Sequence, residues 1–388
     1  TLDFGNYVVN ITMPEDHVVA ATGELQNAKS VLTAEQMSRF EKAKKTFDAP
    51  VVIITQDEAT ANEKEGTSKE KTWTFKADNV RDFAFASSRK FIWDAMAVQV
   101  GNKTPLAMSF YPKEANPLWG QFSTRAVAQT LKTYSKFTID YPYPVAQSIN
   151  AKWIGMEYPM ICFNGGRPES DGTYTEATKY ATLGVIIHEV GHNFFPMIIN
   201  SDERQWTWMD EGLNTFVQYL TEKEWDANYP TRRGPARNIV DYMKGDKTKM
   251  SPIMTNSESI YQFGNNAYGK PATALNILRE TVMGRELFDY AFKEYCRRWA
   301  FKHPTPEDFF RTMEDASAVD LDWFWRGWFY GTDHCDMALK EVKLFVLDTE
   351  NPNIEKEVDR QKKANQPQDI SLMRDRQEKI PTWVEMDP

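Results

Sequence analysis

The chain has 388 residues, which is too many for one ordinary hydrophobic core and predicts two or three domains. Its 46 basic and 55 acidic residues give a net charge of -9, which argues against a general affinity for nucleic acid or for anionic membranes. Peptides or small molecules are therefore the expected partners, and the composition does not specify an oligomeric state.

The cysteines, Cys162, Cys296 and Cys335, are too few and too scattered for a disulfide framework and are predicted to be buried thiols. No apolar run approaches the roughly 18 residues that would indicate a membrane span. The chain starts at Thr1 and enters a strand-like segment at once, as if cut from something longer. An export signal removed upstream would favour an extracytoplasmic location, with the cytoplasm as the alternative.

The first 70 residues contain short β-type runs at residues 7–13 and 51–55, separated by polar stretches. They predict a remnant of a β-rich domain. Residues 57–71 carry charges with almost no apolar residue and predict an exposed linker.

From Thr72 onward, strand-like runs alternate with helical segments, including a helix over residues 124–138 and a second strand-like run over 151–163. The expected fold class is therefore α+β. Thr173 and Glu176 match a capping box that opens a largely apolar, buried helix ending at Pro196.

The back half is predicted to be mostly helical. One helix begins near Asp210, another covers residues 271–283 and ends at Gly284, and Thr305 opens one more. The aromatic run 323–330 is expected to pack in the core. An apolar run at 342–347 and a charged tail follow, so that the predicted domains are residues 1–70, 71–338 and 339–388.

The sequence His188-Glu189-Val190-Gly191-His192 lies on the apolar helix. Residues four apart on a helix share a face, so both imidazoles can bind one metal ion, with Glu189 beside it. Glu211, which follows His192 after eighteen residues, is the predicted third ligand. A structural zinc closes its shell with four Cys or His ligands, which this segment lacks, so we expect one catalytic Zn²⁺ per chain.

These residues resemble the aminopeptidase N family of gluzincin metallopeptidases. Residues 154–158, Ile-Gly-Met-Glu-Tyr, are similar to the family's G-x-M-E-N exopeptidase signature, and residues 268–272, Tyr-Gly-Lys-Pro-Ala, are similar to the segment that carries its catalytic tyrosine. The resemblance implies a thermolysin-like catalytic domain, with a mixed-sheet subdomain and a helical subdomain, preceded by part of a β-rich domain.

The resemblance also implies roles for individual residues. Glu189 would accept a proton from the zinc-bound water, and Tyr268 would donate a hydrogen bond to the oxyanion. Glu157 would pair with the free α-ammonium of a peptide, while Gly155 and Met156 would offer backbone groups to the extended substrate. The expected activity is removal of amino-terminal residues from peptides with a free amino terminus.

The sequence departs from the family pattern at Tyr158, Gln218 and Pro271, where relatives have Asn, Glu and Gly. Relatives also have a longer amino-terminal β domain, which supplies a second group to grip the substrate amine. A thermolysin-type endopeptidase and a catalytically weak, metal-binding fragment therefore remain alternatives. The preferred side chain does not follow from the sequence.

Overall fold

A computed structural model of the protein describes residues 2–64, 66–152, 154–334, 349–365 and 369–386. Two predictions, the buried thiol of Cys335 and the apolar run 342–347, lie outside these residues. Cys162 and Cys296 are buried as free thiols. The strands are β1 (Gly5–Pro14), β2 (Val18–Ala21), β3 (Glu24–Leu25), β4 (Val51–Ile54), β5 (Glu70–Val80), β6 (Phe85–Ser88), β7 (Ile92–Ala97), β8 (Leu106–Tyr111), β9 (Val145–Asn150), β10 (Gly155–Tyr158) and β11 (Ile161–Asn164).

The helices alternate with the strands at first and then dominate the second half of the chain. They are α1 (Ala28–Val31), α2 (Ala34–Ala43), α3 (Gln56–Lys64), α4 (Leu118–Phe137), α5 (Glu176–Gly191), α6 (Leu213–Trp225), α7 (Val240–Met243), α8 (Lys270–Ile277), α9 (Arg285–Trp299), α10 (Pro306–Ser317), α11 (Asp322–Trp328), α12 (Pro352–Ala364), α13 (Ile370–Glu378) and α14 (Trp383–Met386). The predicted α+β class is confirmed. Within the described ranges, no helix is both long enough and apolar enough to cross a membrane.

A six-stranded mixed sheet, in the order β10-β11-β9-β8-β7-β4, forms the β layer beside the helices. Strands β8, β9 and β11 run parallel, whereas β10 pairs antiparallel with β11 at one edge. A separate sheet, in the order β1-β5-β3, contains the amino-terminal strand. The predicted domain boundary at residue 70 does not separate these two sheets. Strand β4 precedes it but belongs to the large sheet, and β5 follows it but pairs with β1.

The polar segment after β4 contains helix α3 and the start of strand β5, so the expectation of a linker over residues 57–71 is wrong. The described residues of this segment other than Ala59 are exposed or partly exposed, so its predicted exposure holds for them. Thr55 and Glu58 form the helix start, because the backbone N–H of Thr55 donates to Glu58 at 2.7 Å and that of Glu58 donates to the Thr55 hydroxyl at 3.3 Å. Ala59 is buried, which gives α3 one apolar contact in an otherwise charged sequence.

The run at residues 151–163 is not one strand, because it folds back on itself as the β10–β11 hairpin. Tyr158 pairs with Ile161, and the two residues between them make the turn. Met160 takes a φ of 63°, and its backbone N–H donates to the side chain of Asn193 at 2.8 Å. Glu157 is therefore on an edge strand.

Helix α5 begins later than predicted. Thr175 is its cap, since its hydroxyl accepts the backbone N–H of Thr178 at 3.1 Å. Thr173 instead bonds to the carboxylate of Asp171 within the preceding loop. The helix also ends earlier, at Gly191, and irregular turns lead on to Pro196.

The other predicted helices are confirmed with shifted ends. The predicted helix over 124–138 starts six residues earlier, at Leu118. Thr305 and Asp308 form the capping box of α10. In the aromatic run 323–330, Phe324, Trp325 and Phe329 are buried, whereas Trp323 and Tyr330 are exposed. The prediction that this run packs in the core is therefore correct for only part of it.

Part of the charged tail packs against the helical region. Glu280 is fully buried and accepts hydrogen bonds from Arg285 and from the hydroxyl of Ser371 in α13. Tyr219 of α6 donates to the carboxylate of Asp369 at 3.0 Å. A buried carboxylate with several charge-assisted partners is costly to break, so these contacts hold α13 against the helices that carry the site.

A buried polar group lies between the large sheet and α4. Asp94 of β7 accepts a hydrogen bond from the hydroxyl of Tyr111 at 2.6 Å and another from Thr124. Burial raises the pKa of Asp94 to about 6, although both hydroxyls act to lower it. The carboxyl group is thus charged at neutral pH only at a cost to the folded state.

Asp94→Asn tests this cost, because it replaces the carboxyl by a neutral group of the same shape. In the folded state the pKa of Asp94 is about 6, above its reference value of 3.8. The stability of wild type therefore falls as the pH rises from 3.8 to about 6, and the loss is complete above that pH. We expect the stability of the variant relative to wild type to improve by up to roughly 3 kcal/mol between pH 4 and pH 7. Denaturant unfolding across this range measures it, with the exposed Asp359→Asn as control; a pH-independent difference contradicts the assignment.

Candidate metal centre and active site

His188 lies in the last turn of α5 and His192 is the C-cap residue in helical conformation, so the two imidazoles share one face, as the spacing predicts. Between them, Gly191 allows the neighbouring helices to approach closely. A Cβ at this position would lie 2.2 Å from the hydroxyl of Tyr134 in α4 and 2.3 Å from Oδ1 of Asn214 in α6. Residue 191 must therefore lack a side chain for these helices to meet.

Glu211 comes from a π-helical turn, Trp208–Gly212, that leads directly into α6. Its Oε2 lies 3.0 Å from Nε2 of His188 and 3.3 Å from Nε2 of His192, and the two Nε2 atoms are 3.0 Å apart. Ligands about 2.0–2.1 Å from a tetrahedral zinc ion lie about 3.3 Å from one another. The three side chains thus fit one zinc ion.

The outward nitrogens of the two imidazoles have acceptors that fix their tautomers. Nδ1 of His192 donates to the carbonyl of Phe195 at 2.7 Å. Oδ1 of Asp210 is also 2.9 Å from this nitrogen. A single N–H makes one well-aligned hydrogen bond, which here goes to Phe195, so Oδ1 of Asp210 has no hydrogen-bond partner among the described residues. Proton placement on Nδ1 leaves the Nε2 lone pair for a metal.

Gln218 plays the same part for His188. Its Oε1 lies 2.8 Å from Nδ1 of His188, whereas Nδ2 of Asn214 is 3.3 Å away and donates instead to the His188 carbonyl at 2.9 Å. The departure from Glu to Gln therefore keeps an oxygen acceptor for the imidazole. Burial lowers the pKa of His188 and favours the neutral ring that binds zinc. Sequence reasoning missed Asn214, whose only signal is its helical spacing from Glu211 and Gln218.

Glu189 is buried beside the ligand cluster, and its Oε2 has no hydrogen-bond partner among the described residues. Burial raises its pKa to about 8, with further contributions from Glu157 and Glu211. The carboxylate packs against Gly155, where a Cβ would lie 2.5 Å from Oε1. The glycine of the edge strand therefore makes room for the carboxylate of the helix.

Glu157 lies half-buried on β10, in the same cluster. Ligand atoms of Glu157, His192 and Asp210 all lie within 4.8 Å of one another. Burial alone would lower the pKa of His192, but these two carboxylates and that of Glu211 raise it well above its usual value. Negative charge is thus concentrated at this end of the site, where it favours bound cations.

Tyr268 lies on the other side, with its ring stacked on that of His188 at a centroid distance of 5.7 Å. Burial and the nearby Glu211 carboxylate raise the pKa of its hydroxyl, which therefore remains a hydrogen-bond donor. A cavity of about 930 Å³ opens here and is lined by His188, Glu189 and Tyr268. Arg233, which sequence reasoning missed, lines it as well.

The structure thus brings His188, Glu189, His192, Glu211, Glu157 and Tyr268 into one site. Gly155 adjoins this site because it packs against Glu189, and Met156 is the next residue of the same edge strand. Three protein ligands with an acid beside them are typical of zinc metallopeptidases.

A family model for the peptidase family M1 domain matches residues 122–328, which is more than half of the chain. The chain belongs to peptidase family M1. The resemblance to aminopeptidase N-like zinc peptidases that the motifs predicted is confirmed.

Curated relatives match at low identity. Probable aminopeptidase 1 of Sulfurisphaera tokodaii is 23% identical over 223 residues, which are 54% of this chain and 28% of that protein. Aminopeptidase M1-A of Oryza sativa subsp. japonica is 21% identical over 253 residues, which are 62% of this chain and 29% of that protein. The matched region therefore spans less than a third of the length of either relative.

Solved structures share the fold. The M1 zinc metallopeptidase of Deinococcus radiodurans matches with a TM-score of 0.60 and 17% identity, covering 86% of this chain and 65% of that one. Aminopeptidase A of Legionella pneumophila matches with a TM-score of 0.59 and 16% identity, covering 84% of this chain and 35% of that one. The predicted mixed-sheet and helical architecture is that of M1 metallopeptidases.

Removing the acceptor behind His188 is expected to weaken metal binding. Gln218→Leu should reduce zinc affinity about 10- to 100-fold, since loss of an outer hydrogen-bond partner has this effect at metal sites. Gln218→Glu keeps an oxygen at this position and should bind zinc at least as tightly as wild type. Chelator competition measures both variants, with the exposed Gln361→Leu as control. Unchanged affinity in Gln218→Leu would show that Gln218 does not orient the ligand.

Proposed function

We propose that this chain is a zinc-dependent aminopeptidase that binds one Zn²⁺ through His188, His192 and Glu211. The observation that carries the proposal is the convergence of these three ligand atoms within 3.0–3.3 Å, beside the unpartnered carboxylate oxygen of Glu189. Family membership and the names of the relatives support peptide hydrolysis. The substrates are peptides with a free amino terminus.

When bound, zinc would lower the pKa of a coordinated water to about 7 and polarise the carbonyl group. Glu189 accepts a proton from the attacking water and later gives it to the departing amine. Its buried position suits both steps, because a carboxyl group with a raised pKa holds a proton more readily than an exposed one. Gly155 fixes the place of this carboxyl group through its missing side chain.

Tyr268 donates a hydrogen bond to the oxygen that gains negative charge during attack. Two features support this role: its ring stacks on a metal ligand, and its hydroxyl resists ionisation. Stacking holds the phenol at a set position relative to the reacting carbonyl. Removal of one such donor typically costs about 2.7–4 kcal/mol of transition-state stabilisation.

Glu157 binds the α-ammonium group of the substrate, which limits cleavage to the first peptide bond. Its surroundings contain the carboxyl groups of Glu189 and Asp210, so this end of the site attracts a cation. An internal peptide has no charge here and would leave the carboxylates unpaired. The edge position of β10 leaves its backbone groups, including those of Gly155 and Met156, free to pair with an extended peptide.

We further propose that residues 71–338 form the thermolysin-like catalytic domain. The family match to residues 122–328 and the position of all three proposed ligands between residues 188 and 211 support this assignment. Residues 1–70 contribute to an amino-terminal β-rich part, and residues 339–388 form a charged tail or the start of a carboxy-terminal domain.

Glu189→Gln separates metal binding from chemistry. The variant keeps all three ligands, so zinc content measured by atomic absorption should equal that of wild type. Turnover of an aminoacyl nitroanilide should fall about 10²- to 10⁴-fold, which is the usual contribution of a general base. Glu355→Gln, on exposed helix α12, serves as control. Near-normal turnover in Glu189→Gln refutes the assigned base.

Blocking the substrate amine tests the aminopeptidase assignment. Acetylation of alanyl nitroanilide should reduce kcat/KM at least about 10-fold, and Glu157→Gln should reduce kcat/KM for the free amine by about 10- to 100-fold, because a charge-assisted hydrogen bond is lost. Acetylation should matter less in that variant than in wild type. The exposed Glu169→Gln is the control. If wild type cuts acetylated and free substrates equally, both the exopeptidase function and the role of Glu157 are wrong.

A further inference from the structure

Arg233 lies in the segment between α6 and α7. Its side chain lines the cavity that also contains His188, Glu189 and Tyr268. The guanidinium carbon lies over the ring of Tyr268, 4.2 Å from the centroid, and Tyr268 stacks in turn on His188. Two ring contacts thus join this cation to a metal ligand, which fixes its position relative to the reacting centre.

Arg233 is half-buried but forms no ion pair with any residue that the structure describes. By contrast, the buried Arg279 and the half-buried Arg285 both bind Glu280. Burial lowers the pKa of Arg233, and Arg232 acts in the same direction, whereas Tyr268, Glu211 and Glu222 act to raise it. The guanidinium group, which has five N–H donors, thus lines the cavity without a direct ion-pair partner among the described residues.

Three of the acids that line the same cavity either accept a hydrogen bond from another residue or are exposed. Glu222 accepts a hydrogen bond from Gln218 at 2.9 Å, and Asp226 accepts one from Tyr180. Glu176 is exposed in the first turn of α5. Glu189 also faces the cavity. None of these four acids forms an ion pair with Arg233 in the described part of the chain, so its guanidinium group is open to an anion from a bound molecule.

The two recognition charges are associated with different histidines of the ligand set. Glu157 clusters with His192 and Asp210, whereas Arg233 contacts Tyr268, which stacks on His188. A carboxylate on one side and a guanidinium on the other match the ammonium and carboxylate ends of a short zwitterionic peptide.

We propose that Arg233 binds a substrate carboxylate on the leaving-group side of the scissile bond, so that dipeptides with a free carboxyl end are the preferred substrates. The proposal rests on the proposed aminopeptidase function. An arginine fork matches the two oxygens of a carboxylate, and its stacking on Tyr268 holds the fork in place. An acidic side chain on the second residue offers the same chemistry from another source.

Four substrates separate these sources: Ala-Ala, Ala-Ala-amide, Ala-Asp-amide and Ala-Asn-amide, with released alanine measured by chromatography. Wild type should prefer Ala-Ala over its amide by at least about tenfold in kcat/KM. Arg233→Gln should lower kcat/KM for Ala-Ala about 10- to 100-fold, mainly through KM, and should lower the ratio of kcat/KM for Ala-Ala to that for Ala-Ala-amide by at least about tenfold. Arg204→Gln, an exposed arginine outside the cavity, is the control.

Each contrary pattern has a distinct meaning. Equal losses on Ala-Ala and its amide would show that Arg233 only positions Tyr268, which overturns the proposal. An Arg233-dependent preference confined to the Ala-Asp-amide and Ala-Asn-amide pair would overturn it in favour of an acidic side chain. Arg233→Lys keeps the charge without the planar fork and should recover part of the preference for Ala-Ala.

Calorimetry keeps this inference separate from the proposed catalysis. In zinc-loaded Glu189→Gln, Ala-Ala should bind at least about tenfold more tightly than Ala-Ala-amide, and addition of Arg233→Gln should abolish the difference. Equal binding of acid and amide overturns the role of Arg233. If wild type hydrolyses none of the four substrates, the proposed function fails, whereas the binding comparison still decides on Arg233.

Discussion

The close approach of α4, α5 and α6 at Gly191 is the constraint on which the site depends. Because residue 191 has no side chain, Tyr134 and Asn214 fill the space beside α5 and bond to each other at 2.7 Å. This contact brings the π-helical turn before α6 near the end of α5, where Glu211 meets both imidazoles. A larger residue would move the helices apart and separate the ligands, since packed interiors have little free volume.

Electrostatics then divides the site into two sides. The carboxyl groups of Glu157, Glu189 and Asp210 cluster beside His192, whereas the guanidinium group of Arg233 lies over the ring of Tyr268. A carboxyl group that is buried among like charges is a better proton carrier than an exposed one, which is why Glu189 differs from the surface glutamates. The arrangement proposed for proton transfer would also suit the dipolar substrate that we propose.

Three segments differ from their predicted structure for physical reasons. Residues 57–71 are polar enough to suggest a linker, yet the Thr55–Glu58 capping box starts a helix there, with only Ala59 needed to pack it. The single run predicted at 151–163 overlooked Pro159 as a turn residue. The tail packs through Asp369 and Ser371, polar residues whose burial is set by partners far away in sequence.

The sequence alone determined that His188, Glu189 and His192 share one face of a helix, because helical periodicity is local and needs no other part of the chain. It also pointed to Glu211, Glu157 and Tyr268, but through motif resemblance and not through distance. Only the tertiary structure decided the 3.0–3.3 Å spacing of the ligand atoms, the acceptor that Gln218 gives to His188, and the stacking of Arg233 on Tyr268. These depend on contacts between separate helices and loops, and such contacts leave no periodic signal in the sequence.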